Sequence, residues 1–227
     1  MQHSYTYEDL YRAIDGGDSA NVDTIMRGIV QQSTGRLDFN SLLPIAIKYA
    51  IQNEKVTVLE HILGKNISAD AYHTAIYCAA ENNKADILEK LVADDVRPDT
   101  KKTTTYNSAF ICAVETGMID TVNFFLDNGL VDPAADDNAA ITNANRIEII
   151  ELLLKHPSVD PSVRKNEAIC KAVRIGNEKI VNLLLKDRRV NVTDDEDACR
   201  AFNLAFIDAA QRGYAGVVRC LLLDGRV

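Results

Sequence analysis

The chain has 227 residues, of which 47% are hydrophobic and 26% charged, enough apolar material for a sizeable core and too much for a disordered polymer. Its formal charge of -8 argues against a nonspecific nucleic-acid binder, which needs a basic surface to meet phosphates. No stretch approaches the roughly 20 apolar residues that span a bilayer and "MQHSYTYEDLYR" lacks a secretory pattern, while five widely spaced cysteines without a C-x-x-C pair fit reduced cytosolic thiols.

In chain order, one pattern recurs. Apolar blocks close successive helices at Val30, Leu63, Val92, Leu126, Leu154, Leu185 and Leu222, in steps of 33, 29, 34, 28, 31 and 37 residues. This period predicts a single domain, 1-227, of seven helix-turn-helix repeats, at about 5-38, 39-69, 70-102, 103-134, 135-162, 163-197 and 198-227.

In the first repeat Gly16-Gly17 marks the end of the first helix, and two or three extra residues precede Ile25. In the third and fourth, Tyr72 and Tyr106 precede the first helices at the same register, "YHTAI" and "YNSAF". Their rings either line the connecting loops or cover the alanine-rich interior. The fifth, "NAAITNANRIEIIELLL", is three residues short, and its first helix is expected to lose about a turn.

In the sixth, "NEAICKAVRIGNEKIVNLLLK", Asn166 reads as an N-cap and Gly176 as a left-handed stop. Ile180, Val181, Leu184 and Leu185 form the apolar stripe of the second helix. The seventh ends in "YAGVVRCLLLDGRV", whose Val217, Val218, Cys220, Leu221, Leu222 and Leu223 lack the polar outer face of a terminal repeat. That apolar end is expected either to continue into a longer protein or to dock on another surface.

The period near 33 and the pattern A-x-x-x-x-A-x-x-x-G-x-x-x-I-V-x-x-L-L resemble the ankyrin repeat, in the divergent style ending in "HPSVDPS" (157-162 for its Pro to Ser) with "LVDPA" as a second copy. The resemblance implies an all-α ankyrin-repeat solenoid with short finger loops, first helices on the concave side, and a protein partner there. The usual T-P-L-H tetrapeptide is replaced by an Asn-x-Ala motif at Asn107, Asn138, Asn166 and Asn203, which predicts retained caps without the Thr-His network. The partner-binding candidates are the residues ending each first helix, with one tyrosine: Gln52, Asn53, Glu81, Asn82, Tyr106, Glu115, Thr116, Arg174, Ile175, Gln211 and Arg212.

Chemistry has few candidates. Cys78, Cys112 and Cys170 fall at buried alanine registers, and a Cys78/His73 pair is the one nucleophilic alternative. No H-x-x-x-H, C-x-x-C, D-x-D-x-D-G or phosphate-cradling glycine motif occurs, so no metal and no cofactor are expected. Acidic doublets at Asp94-Asp95, Asp136-Asp137 and 194-197 read as solvated loops diluted by Lys101-Lys102, Arg164-Lys165 and Arg188-Arg189. The expected function is a non-catalytic, cytoplasmic interaction module for a protein partner, with no nucleic acid and no membrane, acting as scaffold, adaptor or effector delivered to a host cytosol. A second reading is the targeting domain of a longer enzyme whose active segment lies beyond Val227.

Overall fold

The computed structural model describes residues 4-33, 35-65, 67-93, 95, 99-190 and 196-225. Among them are fourteen helices and no strand, so the all-α expectation holds. The chain divides into two compact units, Met1–Ala109 and Phe110–Val227. In the first, α1 (Tyr7–Asp15) pairs with α2 (Ser19–Gln32), α3 (Phe39–Gln52) with α4 (Val56–Leu63), and α5 (Ala69–Glu81) with α6 (Ala85–Ala93). Helix α7 (Asp99–Thr116) starts there and ends in the second unit. That unit continues with α8 (Ile119–Asp127), α9 (Ala135–Asn143), α10 (Ile147–Leu154), α11 (Val163–Ile175), α12 (Glu178–Leu185), α13 (Glu196–Gln211) and α14 (Ala215–Asp224).

Within each unit, like packs on like. First helices stack as α1 on α3 on α5, and as α9 on α11 on α13; second helices stack as α2 on α4, and as α8 on α10 on α12 on α14. The cause is side-chain size. Ala46, Ala50, Ala75 and Ala79 are fully buried, and methyl groups let α3 and α5 approach toward the short end of the roughly 8–10 Å interaxial range. The second helices α4, α10 and α12 have eight residues each, too few to persist alone in water. Their apolar stripes, such as Ile180, Val181 and Leu184, fold only against neighbours.

Side chains cap the starts of α1, α2, α3, α5 and α12, and none of them is an Asn-x-Ala asparagine. Thr6 and Asp9 form a capping box on α1, and the side chains of Asp18, Asp38, Ser68 and Asn177 accept first-turn amides of α2, α3, α5 and α12. The expected caps are corrected in two ways. Asn107 and Asn203 lie inside α7 and α13; both helices begin earlier than the repeat pattern suggests, so Lys101-Lys102, Glu196 and Asp197 are helical rather than looped. Asp94, Asp194 and Asp195 lie outside the described residues.

Asn138 and Asn166 end short left-handed turns, Asp136–Asp137–Asn138 and Arg164–Lys165–Asn166, with φ of 52 to 61°. The right-handed part of α9 therefore runs only from Ala139 to Asn143, against Glu167 to Ile175 in α11. The fifth repeat's first helix is short, as its sequence predicts. Left-handed residues other than glycine cost about 1–2 kcal/mol each, so each turn needs compensation. Asparagine tolerates this region best, and buried Asn138 accepts the Asp160 amide at 2.8 Å through Oδ1. Arg164 donates to the Asp136 carbonyl at 2.7 Å and the Asp137 carboxylate at 3.0 Å, tying one left-handed turn to the other.

Side chains just before the second helices reach back to the preceding pair. Lys55 donates to the Asp15 carbonyl at 2.8 Å, and Lys84 pairs with Glu54. Arg146 lies over Gly117, and the Tyr214 ring lies over Gly176. Both glycines have positive φ, 78° and 76°, and the bare Cα leaves space for the covering side chain. Gly176 thus serves as the left-handed stop expected of it. Between α12 and α13, Arg189 clasps the Asp187 carboxylate and donates to the carbonyls of Val159 and Leu154.

The last pair differs from the one before it. Ile169, Cys170, Val173 and Val181 are buried beneath α13 and α14, whereas their equivalents Phe206, Ile207, Ala210 and Val218 are half-buried or exposed. Leu222 and Leu223 are 62% and 81% exposed. Of the apolar residues read from the sequence as an outer face, Leu222 and Leu223 are exposed, Val218 and Cys220 are half-buried, and Val217 and Leu221 are buried.

The two terminal glycines separate strain from crowding. A Cβ on Gly213, at φ 75°, meets nothing within 4 Å, whereas on Gly176 it lies 2.9 Å from the Tyr214 ring. Gly213→Ala is expected to cost about 1–2 kcal/mol, and Gly176→Ala about 1–3 kcal/mol more, read from urea unfolding midpoints. Equal losses at both positions would show that Tyr214 does not depend on the glycine.

Candidate interaction surface

Within each compact unit the ends of the first helices occupy equivalent positions on stacked helices. In the first compact unit, Gln52 and Asn53 end α3, and Glu81 and Asn82 end α5. The two asparagines serve the backbone: Asn53 Nδ2 donates to the Tyr49 carbonyl at 2.9 Å and Asn82 Nδ2 to the Cys78 carbonyl at 2.8 Å. Each adds a second donor to a carbonyl that already accepts the amide of the same asparagine, and left-handed Glu54 and Asn83 follow. Gln52 and Glu81 are exposed.

Aromatic side chains flank these positions, which the sequence reading did not single out. Tyr11 of α1 stacks on Tyr49 of α3 with ring centroids 4.3 Å apart and planes 17° from parallel. The Tyr49 hydroxyl donates to the Asp15 carboxylate at 2.9 Å. On α5, His73, Tyr77 and Glu81 follow one another at four-residue spacing, which places them on one helical stripe; all three are exposed, and the rings of His73 and Tyr77 stack 6.3 Å apart. The available signal was positional: Tyr49 and Tyr77 each sit one turn before a first-helix end.

In the second compact unit the equivalent positions join a hydrogen-bond chain. Glu115 accepts from Asn143 Nδ2 at 2.7 Å, and its carbonyl from Asn145 at 3.0 Å. Lys171 donates to Asn143 Oδ1 at 3.1 Å and to the Thr142 carbonyl at 3.0 Å. Thr116 turns its hydroxyl back to the Cys112 carbonyl. Arg212 pairs with Asp208 on its own helix at 2.9 Å. Arg174, Ile175, Gln211 and Arg212 are exposed, Ile175 by 59%.

Tyr106 does not belong to this surface, which corrects the sequence expectation. It lies within α7, is 4% exposed, and donates its hydroxyl to the buried Asp95 carboxylate at 2.8 Å. Tyr72 likewise lies inside α5 and donates to the Leu91 carbonyl. Both rings cover the interior rather than line loops. The α7 and α5 helices begin several residues earlier than the apolar period suggests, which turns these positions inward.

The cysteines occupy core positions. Cys78, Cys112 and Cys170 are buried, and burial pushes the Cys170 thiol up, away from the reactive thiolate. Cys78 and His73 share α5, but one is buried and the other exposed. Among the described residues no group of three His, Cys, Asp or Glu side chains could hold a metal ion, and no helix is long and apolar enough to cross a membrane.

Stacked helical hairpins with a repeated alanine frame and varied exposed first-helix ends define a repeat scaffold. The family model described as ankyrin repeats (3 copies) matches residues 47-137, and this part of the chain is built of ankyrin repeats. Ankyrin repeats are a protein-protein interaction module. The match ends at Asp137, inside the first left-handed turn. A comparison with curated proteins found no match.

The hydrogen bond to Asp15, together with burial and the Asp15 charge, raises the Tyr49 pKa above its ordinary 10.0. A raised folded pKa stabilises the fold fully below pH 10, and this contribution disappears as pH rises through the folded value. Ultraviolet titration of Asp15→Ala is expected to show one tyrosine ionising at lower pH than in the parent chain. Superimposable curves would mean that the Tyr49–Asp15 contact is not made in solution.

Proposed function

We propose that this protein is a non-catalytic interaction module that binds a partner protein through the ends of its first helices. The contact residues are Gln52, Asn53, Glu81 and Asn82 in the first compact unit, and Glu115, Thr116, Arg174, Ile175, Gln211 and Arg212 in the second. It acts in a cytosol, as an adaptor or as an effector delivered to a host cell; reduced, buried thiols suit that setting. The uncovered Leu222 and Leu223 offer a second, apolar contact.

The observation that carries this reading is the exposed stripe His73, Tyr77 and Glu81 beside Gln52. Tyrosine brings a large amphipathic area at little rotamer cost, and it is enriched where binding energy concentrates. The frame beneath is fixed by buried alanines, so the exposed ends can differ without altering the fold.

The test uses substitutions that leave the packing intact. The Glu115 carboxylate holds Asn143, so its replacement would disturb that neighbour; Gln52 and Glu81 are exposed helix-end positions. Gln52→Arg with Glu81→Arg is expected to lower capture of the partner from cytosol by about tenfold or more, with unchanged circular dichroism. Capture at parental levels would remove the first-helix ends of the first compact unit from the contact.

A further inference from the structure

The second-helix side of the first compact unit carries a cavity that the proposed surface does not use. Helices α4 and α6 stand apart, whereas α10, α12 and α14 close on one another in the second compact unit. The space between them measures about 450 Å³ and is lined by Val56, Leu59 and Leu63 of α4 and Ile87 and Leu91 of α6. Val56, Leu59 and Leu63 recur at helical spacing, so one apolar stripe faces another across the gap. Tyr72 from α5 also lines the cavity; its hydroxyl is bonded to the Leu91 carbonyl, which holds the ring against the wall. Gly64 and Ala93 line it too, and their small size leaves it open.

Glu60 and Lys90 also line the cavity and pair at 2.8 Å, with side chains 55% and 56% exposed. They bridge α4 and α6 at the mouth. An exposed pair of this kind is held by about 0–1 kcal/mol, so a ligand can part or share it easily. Together they offer an acceptor and a donor side by side. A carboxylate would meet Glu60 and an ammonium would meet Lys90, each as a like charge. The main chain of one extended residue meets both with complementary atoms, because its own N–H and C=O lie on the same side, the N–H toward Glu60 and the C=O toward Lys90. The volume falls within the range of about 300–1,000 Å³ typical of sites that bury a compact apolar ligand.

We propose that the cavity between α4 and α6 is an anchor pocket for one large apolar or aromatic side chain of a partner polypeptide, with the main-chain N–H and C=O of that same residue bonded to Glu60 and Lys90. The site is distinct from the first-helix ends, because its lining residues among those described come from α4, α5, α6 and the Gly64 turn. It gives the module a second, side-chain-reading contact on the opposite helix layer.

The chain contains no tryptophan, so N-acetyl-L-tryptophanamide can be followed by its own fluorescence. Its emission is expected to shift to shorter wavelength and to saturate with a dissociation constant of about 0.1–1 mM, the range that its size permits. Ala93→Phe fills an exposed edge of the cavity and is expected to weaken binding about tenfold or more. Glu60→Gln with Lys90→Gln leaves the apolar walls in place and is expected to weaken it by about threefold to tenfold. N-acetyl-L-tryptophan, which carries a carboxylate, is expected to bind more weakly than the amide. Gln52→Arg with Glu81→Arg should leave the probe's binding unchanged, so this site and the first-helix ends fail separately. A linear, unsaturable response, parental affinity in a folded Ala93→Phe variant, or a carboxylate that binds as well as the amide would each overturn the assignment.

Discussion

No hairpin in this protein owns a core. The eight-residue helices α4, α10 and α12 bury one stripe each; in α10 and α12 that stripe is completed by residues from the pair before and the pair after, and in α4 by its own pair and the pair before. The contact that makes this work is the close approach of successive first helices through alanine, at Ala46, Ala50, Ala75 and Ala79 in the first compact unit. A larger side chain at any of these positions would push two helices apart and uncover the second helices packed behind them. Overpacking of this kind costs about 1–3 kcal/mol even where the surroundings yield. Local sequence therefore sets helix length and turn position, while stability belongs to the interface between neighbours.

The same constraint allocates function. Residues facing a neighbour are held to alanine, leucine, isoleucine and valine; those at the ends of first helices are released from that role and carry Gln52, Glu81, Arg174 and Gln211. The release is incomplete. Asn53, Asn82 and Thr116 are occupied with their own helix carbonyls, and Glu115 with Asn143 and Asn145. What remains for a partner in the first compact unit is the aromatic and acidic stripe on α5 with the stacked tyrosines beside it. In the second compact unit it is a mixed basic and apolar surface. The cavity between α4 and α6 arises from the opposite condition, a place where two second helices fail to close.

The repeat period, helix pairing and glycine stops were legible because each is a local rule. Gly176 has to be left-handed after an apolar helix, and it is. The Asn-x-Ala asparagines were misread because a cap and a left-handed turn both favour asparagine, and one side chain's local sequence cannot distinguish them. Asn138 is chosen for its φ of 57° and for the Asp160 amide that it receives, a partner 22 residues away. Tyr106 was misplaced because α7 extends N-terminally beyond its apolar pattern through polar threonines, and periodicity is blind to a helix whose first turns carry no core residues. The spacing between α4 and α6 left no trace in the sequence, since it depends on how two separately ordinary stripes meet.

The glycines covered from the following hairpin bear on inheritance by duplication. Gly117 and Gly176 are each completed by a residue encoded in the next hairpin, Arg146 and Tyr214. A duplicated segment cut at the turn between hairpins would separate each glycine from its lid and pair it with a stranger. Each lid lies just over one repeat beyond its glycine, so a segment one repeat long cannot hold both, whereas two adjacent hairpins copied together keep lid and glycine in one piece. Duplication in genes of this type should leave viable descendants chiefly from segments of two or more hairpins.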